Sequence, residues 1–384
     1  MFGGGSFVSL YHHLQAINRE VFHPIVVYLN KNHFVEKVQK LGVPAYVFTD
    51  YLYSQHSPRY ARDLLRRIAG RIDRHAPQYY LEFARIAHLP LVRRLEKLVN
   101  NAKIDIIHLN VQTNRDLFGL FLAERTGRAC ISHLRSMGSL GFEASRARYA
   151  NKIVSVYIAN SMGTKIYWVG KGLDSNRMKV VFNAIPDESV EAVDIRKTWG
   201  LGEHVKTIFG CIGNFSEAKG HRFLLRAFSR LGNKLFGTVL LFVGDGFLKN
   251  ALVDEAKKLG IDDSVFFLGY QEKVREIIAG LDLLIAPSKS EGFGRVIIEA
   301  MQSGIPVLAT KSGGIPEIVK HEYNGLLVRY GDERGMCEEI KRLIDCKELR
   351  QKLSENGYRT VREKFSSKRY ASELELIYGN IIGE

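Results

Sequence analysis

Residues 281–310 read LDLLIAPSKSEGFGRVIIEAMQSGIPVLAT. The stretch opens on an apolar run, LDLLIAP (281–287), and closes on another, IPVLAT (305–310). SKSEGFG reads as a loop, and a helix follows from about Gly294 to Gln302 with Val296, Ile297, Ala300 and Met301 apolar. Strand, loop, helix, strand is a βαβ unit, whose two strands run parallel. Both strand runs are apolar at successive positions, as expected for strands covered on both faces.

The pattern extends in both directions. Upstream in the same half lie VKTIFGCIG (205–213), TVLLFVG (238–244) and SVFFLG (264–269), separated by helical stretches such as 220–231 and 247–259. The first half repeats the alternation with HPIVVYL (23–29), VPAYVF (43–48), IDIIHL (104–109), ACISHL (129–134), SVYIAN (155–160) and MKVVFN (178–183). A helical pattern over Leu91-Val92, Leu95 and Leu98-Val99 lies among them. The fold class expected is α/β, with two Rossmann-like doubly wound parallel-sheet domains facing a cleft, where ligands usually bind. The polar stretch 184–204 marks the junction. The division is 1–186, 187–365 and a C-terminal helix in 366–384. That helix, with Tyr370, Leu374, Ile377 and Ile381 on one face, is expected to pack back on the first domain.

A doubly wound domain opens with a strand that feeds a glycine turn and a helix. Here Gly3-Gly4-Gly5 comes at once, and FVSLYHHLQAI reads as the helix. Omitting about six apolar residues of a central strand would forfeit ~10 kcal/mol. The expectation is therefore that the chain starts late, and in-frame upstream codons for an apolar strand would check it.

The 384 residues are 46% hydrophobic, enough for two cores. Lys and Arg number 55 against 41 acids, a net charge of +14 that suits nucleotide phosphates, nucleic acid or acidic lipid, or simply a basic soluble protein. Cys130, Cys211, Cys337 and Cys346 form no CxxC pair and read as reduced packing residues, with no zinc site. No apolar run reaches the length of a membrane span, and the N-terminus lacks a signal-peptide pattern. The expected location is the cytoplasm, with any membrane contact made from its inner surface.

Glu291 and Glu299 stand eight positions apart, one before the helix and one inside it. Helical and extended rise put their backbones roughly 12–17 Å apart. That is too far for a glycosidase acid and nucleophile, which stand about 5–9.5 Å apart, but it suits two hydroxyl-bearing ends of one ligand. Between them the helix N-terminus offers free N–H groups and partial positive charge, and Gly292 and Gly294 allow close backbone approach. The layout is hydroxyl, phosphate, hydroxyl, that of a nucleotide diphosphate sugar. On spacing alone, a capping Glu291 and a solvated Glu299 remain an open alternative.

The chain at this point resembles the retaining glycosyltransferases of family 4, the group 1 transferases, which have the GT-B fold. The resemblance runs over nearly the whole chain and is strongest over 205–330. It rests on SKSEGFGRVIIEAMQSGIPVLAT with its trailing SGGIPEIV, on NGLLV (324–328), GCIGNFSEAKG (210–220), LLFVGDG (240–246), FFLGYQEKV (266–274) and FNAIP (182–186).

The resemblance implies roles. Glu299 would hold the nucleotide ribose and Glu291 the donor-sugar hydroxyls, with backbone groups of Gly292, Phe293 and Gly294 completing the sugar and phosphate contacts. Lys219 matches the family's diphosphate lysine, placed where the leaving group accumulates charge. Gly213 precedes a position where the family usually has arginine, but here Asn214 stands there, which hydrogen-bonds without charge. Another cation such as Arg295 would then assist, or leaving-group stabilisation is weaker. His133, at the end of ACISHL, matches a histidine that contacts the donor sugar and reacting centre; His108 is a weaker candidate. Gly4 and Gly5 match the family's N-terminal glycine loop. The implied reaction moves a sugar, with retention, from a nucleotide diphosphate donor to a hydroxyl of a glycan or lipid-linked acceptor in cell-surface polysaccharide or lipopolysaccharide synthesis. The implied cofactor set is empty, without a metal, and UDP is the donor nucleotide the resemblance suggests, being common among bacterial relatives.

Residues 59–74, RYARDLLRRIAGRIDR, form a basic amphipathic helix pattern that suits either an anionic membrane surface or core packing with a solvated basic face. Two other readings stay open. One is a basic binding protein on the same fold that has lost catalysis, although no recognition-helix, RNA-binding-sheet or zinc-finger pattern supports nucleic acid as a partner. The other is a different GT-B enzyme such as a sugar-nucleotide epimerase. GDGFLKN (244–250) is not a dinucleotide fingerprint.

Overall fold

The computed structural model describes residues 5–48, 67–69, 71–72, 75–76, 79–110, 117–138 and 144–383. The chain divides into two compact units, Met1–Asn183 with Ser367–Glu384, and Ala184–Ser366. The chain thus crosses between the units at 183/184 and returns at 366/367.

In the first unit, β1 (Val26–Tyr28) and β2 (Ala45–Val47) pair in parallel as a small sheet of their own. Strands β3 (Ile106–Leu109), β4 (Ala129–Leu134), β5 (Val156–Ala159) and β6 (Met178–Val180) form a second parallel sheet in sequence order. The apolar face of helix Tyr80–Asn101, Leu91, Val92, Leu95 and Val99, shares one core with Leu120, Phe121, Cys130, Tyr157 and Trp168. The C-terminal helix Ser367–Ile382 belongs to this unit. It buries Tyr370, Ala371, Leu374 and Tyr378, while Ile377 and Ile381 are only half-buried. The buried face is therefore turned toward Tyr378 from the aliphatic stripe in the sequence.

The second unit holds β7 (Thr207–Ile212), β8 (Thr238–Val243), β9 (Val265–Gly269), β10 (Leu283–Ala286), β11 (Val307–Thr310) and β12 (Leu326–Val328). They form one parallel sheet in the order β12-β11-β10-β7-β8-β9. All of TVLLFV in β8 is buried, as a central strand covered on both faces requires. The strand order makes two half-sheets that diverge from the β7–β10 pair. Crossovers run outward from β7 on one side and from β10 on the other, so their carboxyl ends form the topological switch point, where ligands settle in open α/β sheets.

Cys130, Cys211 and Cys337 are buried free thiols and Cys346 is half-buried; burial pushes the Cys211 thiol up to about 12. Among the described residues no helix is long and apolar enough to cross a membrane. Of the basic stretch 59–74, residues 67–69 and 71–72 are described and helical; the rest lies outside the described residues.

Candidate functional site

Two loops meet at the switch point. After β7 the chain passes Gly213 and Asn214, makes a short turn over Glu217–Lys219, and enters helix His221–Ser229 through Gly220 at φ +70°. After β10 it passes Pro287 and the SKSEGFG loop and enters helix Arg295–Gln302 through Gly294 at φ +99°. The loops are stitched together by backbone, since Lys289 N and Ser290 N both donate to the Ala218 carbonyl, at 2.8 and 3.1 Å. A third loop joins them, with Gly314 N donating to Glu291 O at 3.0 Å and the Ser312 hydroxyl donating to Lys289 O at 2.9 Å.

This stitching brings Lys219 to Glu291, Nζ to Oε2 at 2.5 Å, and the Ser288 hydroxyl donates to the same oxygen at 3.3 Å. The stem of Lys219 passes over Gly213, where an added Cβ would stand 3.5 Å from Lys219 Cε. Asn214 accepts from the Ser216 hydroxyl at 3.1 Å. The narrow hollow lined by Ile212, Lys219, Ser288, Glu291 and Gly294 has a volume of about 10 Å³, room for about one water molecule. One turn into the helix, Glu299 is 5% exposed and its Oε1 lies 3.0 Å from Arg295 Nε. A solvated Glu299 is thereby excluded. Phe293 is a core residue, 2% exposed and packed edge-on against Phe365, so its backbone is the part that can meet a ligand. The second unit thus gathers Gly213, Asn214, Lys219, Glu291, Gly292, Gly294, Arg295 and Glu299 beyond the carboxyl ends of the central strands β7 and β10. It presents a helix N-terminus with carboxylates on either side.

The remaining candidates lie in the first unit. Gly5 is the first residue of helix Gly5–Ala16, and Gly4 lies outside the described residues. His133, at the end region of β4, is 0% exposed and stacks on His108, ring centroids 5.5 Å apart at 12°. Among the described residues, neither nitrogen of the His133 ring has a hydrogen-bond partner. His108 Nδ1 is 2.8 Å from the Tyr378 hydroxyl, which also lies 3.2 Å from His13 Nε2. Arg135 donates to Asn110, Asn183 and Tyr370 at 2.8, 3.0 and 3.1 Å. Burial first, then the Arg135 charge, lowers His13 to about 3, and burial holds His108 and His133 well below the usual histidine range. All three rings are neutral at pH 7.

The family described as "Glycosyl transferases group 1" matches residues 195–360. The second unit is a group 1 glycosyl transferase unit. Among curated relatives, this chain is 34% identical over 209 residues to the N-acetyl-alpha-D-glucosaminyl L-malate synthase of Bacillus anthracis, covering 53% of this chain and 54% of that one. It is 34% identical over 155 residues to the lipopolysaccharide core biosynthesis glycosyltransferase LpsE of Rhizobium meliloti, covering 40% and 44%. The chain therefore spans about half the length of the curated relatives it matches. Over nearly its whole length the fold is similar to the crystal structure of Anabaena HepE in complex with UDP-glucose, with a TM-score of 0.80 at 21% identity, covering 98% of this chain and 96% of that one. Two α/β units built on parallel sheets are the GT-B architecture.

In the transferase unit, the sequence reading named the acids and Lys219 but not their pairing. In the other unit, Tyr370 stood out in the sequence only as part of an apolar helix face, and Arg135, Asn110, Tyr378 and His13 were not marked as site residues. Apart from Tyr370 and Tyr378, which share one helix face, they come from distant segments, so no local signal could have grouped the whole set. Among the described residues one set could offer a metal three ligands: His321, Glu322 and Glu339, with ligand atoms within 4.8 Å of one another. Arg342 ion-pairs with Glu322 and, at 3.2 Å, with Glu339. That set is an arginine-neutralised surface network.

Proposed function

We propose that this protein transfers a sugar from a nucleotide diphosphate sugar to an acceptor hydroxyl, with retention of anomeric configuration. The observation that carries the reading is the edge of the transferase unit, where the N-terminus of helix Arg295–Gln302 lies between Glu291, paired with Lys219, and the buried Glu299. A diphosphate suits the helix N-terminus and Lys219, a ribose suits Glu299, and sugar hydroxyls suit Glu291 once Lys219 turns to the phosphate. In the step itself, the bond from anomeric carbon to phosphate oxygen breaks and the acceptor oxygen bonds the same face of that carbon. The departing phosphate takes the acceptor proton. Lys219 takes up leaving-group charge, so the reaction is read as metal-independent.

The UDP-glucose in the HepE structure supports UDP as nucleotide, and the role in LpsE's name supports a glycan or lipid-linked acceptor in cell-envelope polysaccharide synthesis. The test is calorimetric titration with UDP, GDP and ADP, followed by turnover of the matching sugar nucleotides with and without EDTA. One nucleotide is expected to bind, with Lys219→Met and Glu299→Gln each weakening it about tenfold or more. Binding of none of the three, or unchanged affinity in both variants, would overturn the reading.

A further inference from the structure

The Arg295–Glu299 pair is poorly explained by helix stability. Arg295 is the first residue of its helix, where the macrodipole disfavours a cation. The cation precedes the acid by four positions, which is the weaker order for such a pair on a helix. Yet Glu299 is a buried carboxylate, with side-chain exposure of 7% against 22% for Arg295, and Arg295 Nε stands 3.0 Å from its Oε1. A buried carboxylate without a cation would be costly to keep charged, and its negative charge one turn from the helix N-terminus would oppose a bound diphosphate. Asn214 supplies no compensating charge, and Lys219, paired with Glu291 in this structure, is the cation read as turning to the phosphate, so it does not offset Glu299. A carboxylate has two oxygens, so one can hold Arg295 while the other accepts from a ribose hydroxyl.

We infer that Arg295 is a positioning residue for Glu299. It fixes the carboxylate in the orientation that receives the ribose diol, and it cancels the charge that would otherwise repel the diphosphate. This rests on the donor-site reading above, and it assigns to one guanidinium the discrimination between a ribose and a sugar lacking its hydroxyls.

The test is a double-mutant cycle on the full chain, Arg295→Met, Glu299→Gln and both together, with Arg295→Lys as the conservative variant. The probes are the nucleoside diphosphate that wild type binds best and its 2′,3′-dideoxy analogue. Arg295→Met is expected to weaken the ribonucleotide about tenfold and to abolish the preference for it over the dideoxy analogue. Arg295→Lys should restore most of both. The double variant should be no weaker than Arg295→Met alone, because two residues acting as one unit are not additive. Should Arg295→Met keep the wild-type preference, or should the two single losses simply add, the inference is overturned while the functional reading stands. Should wild type bind no nucleoside diphosphate, the functional reading fails and this inference with it. A melting curve for each variant separates loss of binding from loss of fold.

Discussion

Gly220 stands at φ +70° between Lys219 and the helix that follows, and a Cβ there would lie 2.0 Å from the Pro287 carbonyl oxygen. The left-handed conformation costs an L-residue about 1–2 kcal/mol, and the obstacle is backbone that cannot swing aside. Gly220→Ala is expected to destabilise the transferase unit by about 3 kcal/mol, read as a lower urea midpoint. It should weaken nucleotide binding as well, because Lys219 is the preceding residue. A transition unchanged within 0.5 kcal/mol, about the usual effect of a surface substitution, would show that the loops part easily. At this scale, the lysine–glycine pair was readable from the sequence. The reason for the glycine was not, since the Pro287 carbonyl lies beyond β8, β9 and β10 in the chain.

Short elements carry more than their length indicates. NGLLV is visible in the sequence as a motif, but only three of its residues, Leu326–Val328, form a strand, too few for any periodicity to show. Its asparagine, Asn324, is 1% exposed. The side chain accepts from Lys320 N at 2.7 Å and donates to Ile318 O at 3.0 Å and to Thr360 Oγ1 at 3.1 Å. One side chain thus ties the turn after helix Ile315–Ile318 to helix Lys347–Lys364. Asn324→Ala leaves buried partners unsatisfied and is expected to cost about 2–4 kcal/mol. The check is a fall in urea midpoint at constant m-value; a changed m-value would instead mean an altered unfolded or native compactness.

For the whole molecule, acid is the sharpest probe, because each unit buries a histidine in its neutral form. In the first unit burial and then the Arg135 charge lower His13 to about 3, and in the second burial and then the Lys219 charge lower His221 to about 4. The folded values lie below the unfolded value near 6.5, so the unfolded chain binds more protons as pH falls. The stabilisation is complete above pH 6.5 and drains away below it, toward the folded values. Between pH 7 and pH 5 each unit is expected to lose roughly 2 kcal/mol from that one histidine, with His108 and His133 adding to the loss in the first unit. Calorimetric scans at the two pH values check this. Equal melting temperatures at pH 7 and pH 5 would mean that these rings are open to water.

The sequence by itself determined the alternation of strand and helix, the parallel sheets and the two-unit layout, and it marked out the acids, glycines and lysine read as a candidate donor site. Those features depend on neighbours a few positions apart, through side-chain period, turn residues and motif spacing. Only the tertiary structure decided that Glu299 is buried against Arg295, that Lys219 closes on Glu291, and that His13, His108, His133, Arg135, Tyr370 and Tyr378 share one partly buried network. Parallel sheets join segments through long crossovers, so the residues that meet at a strand end are far apart in the chain. Their burial and charge partners therefore leave no mark on the local pattern.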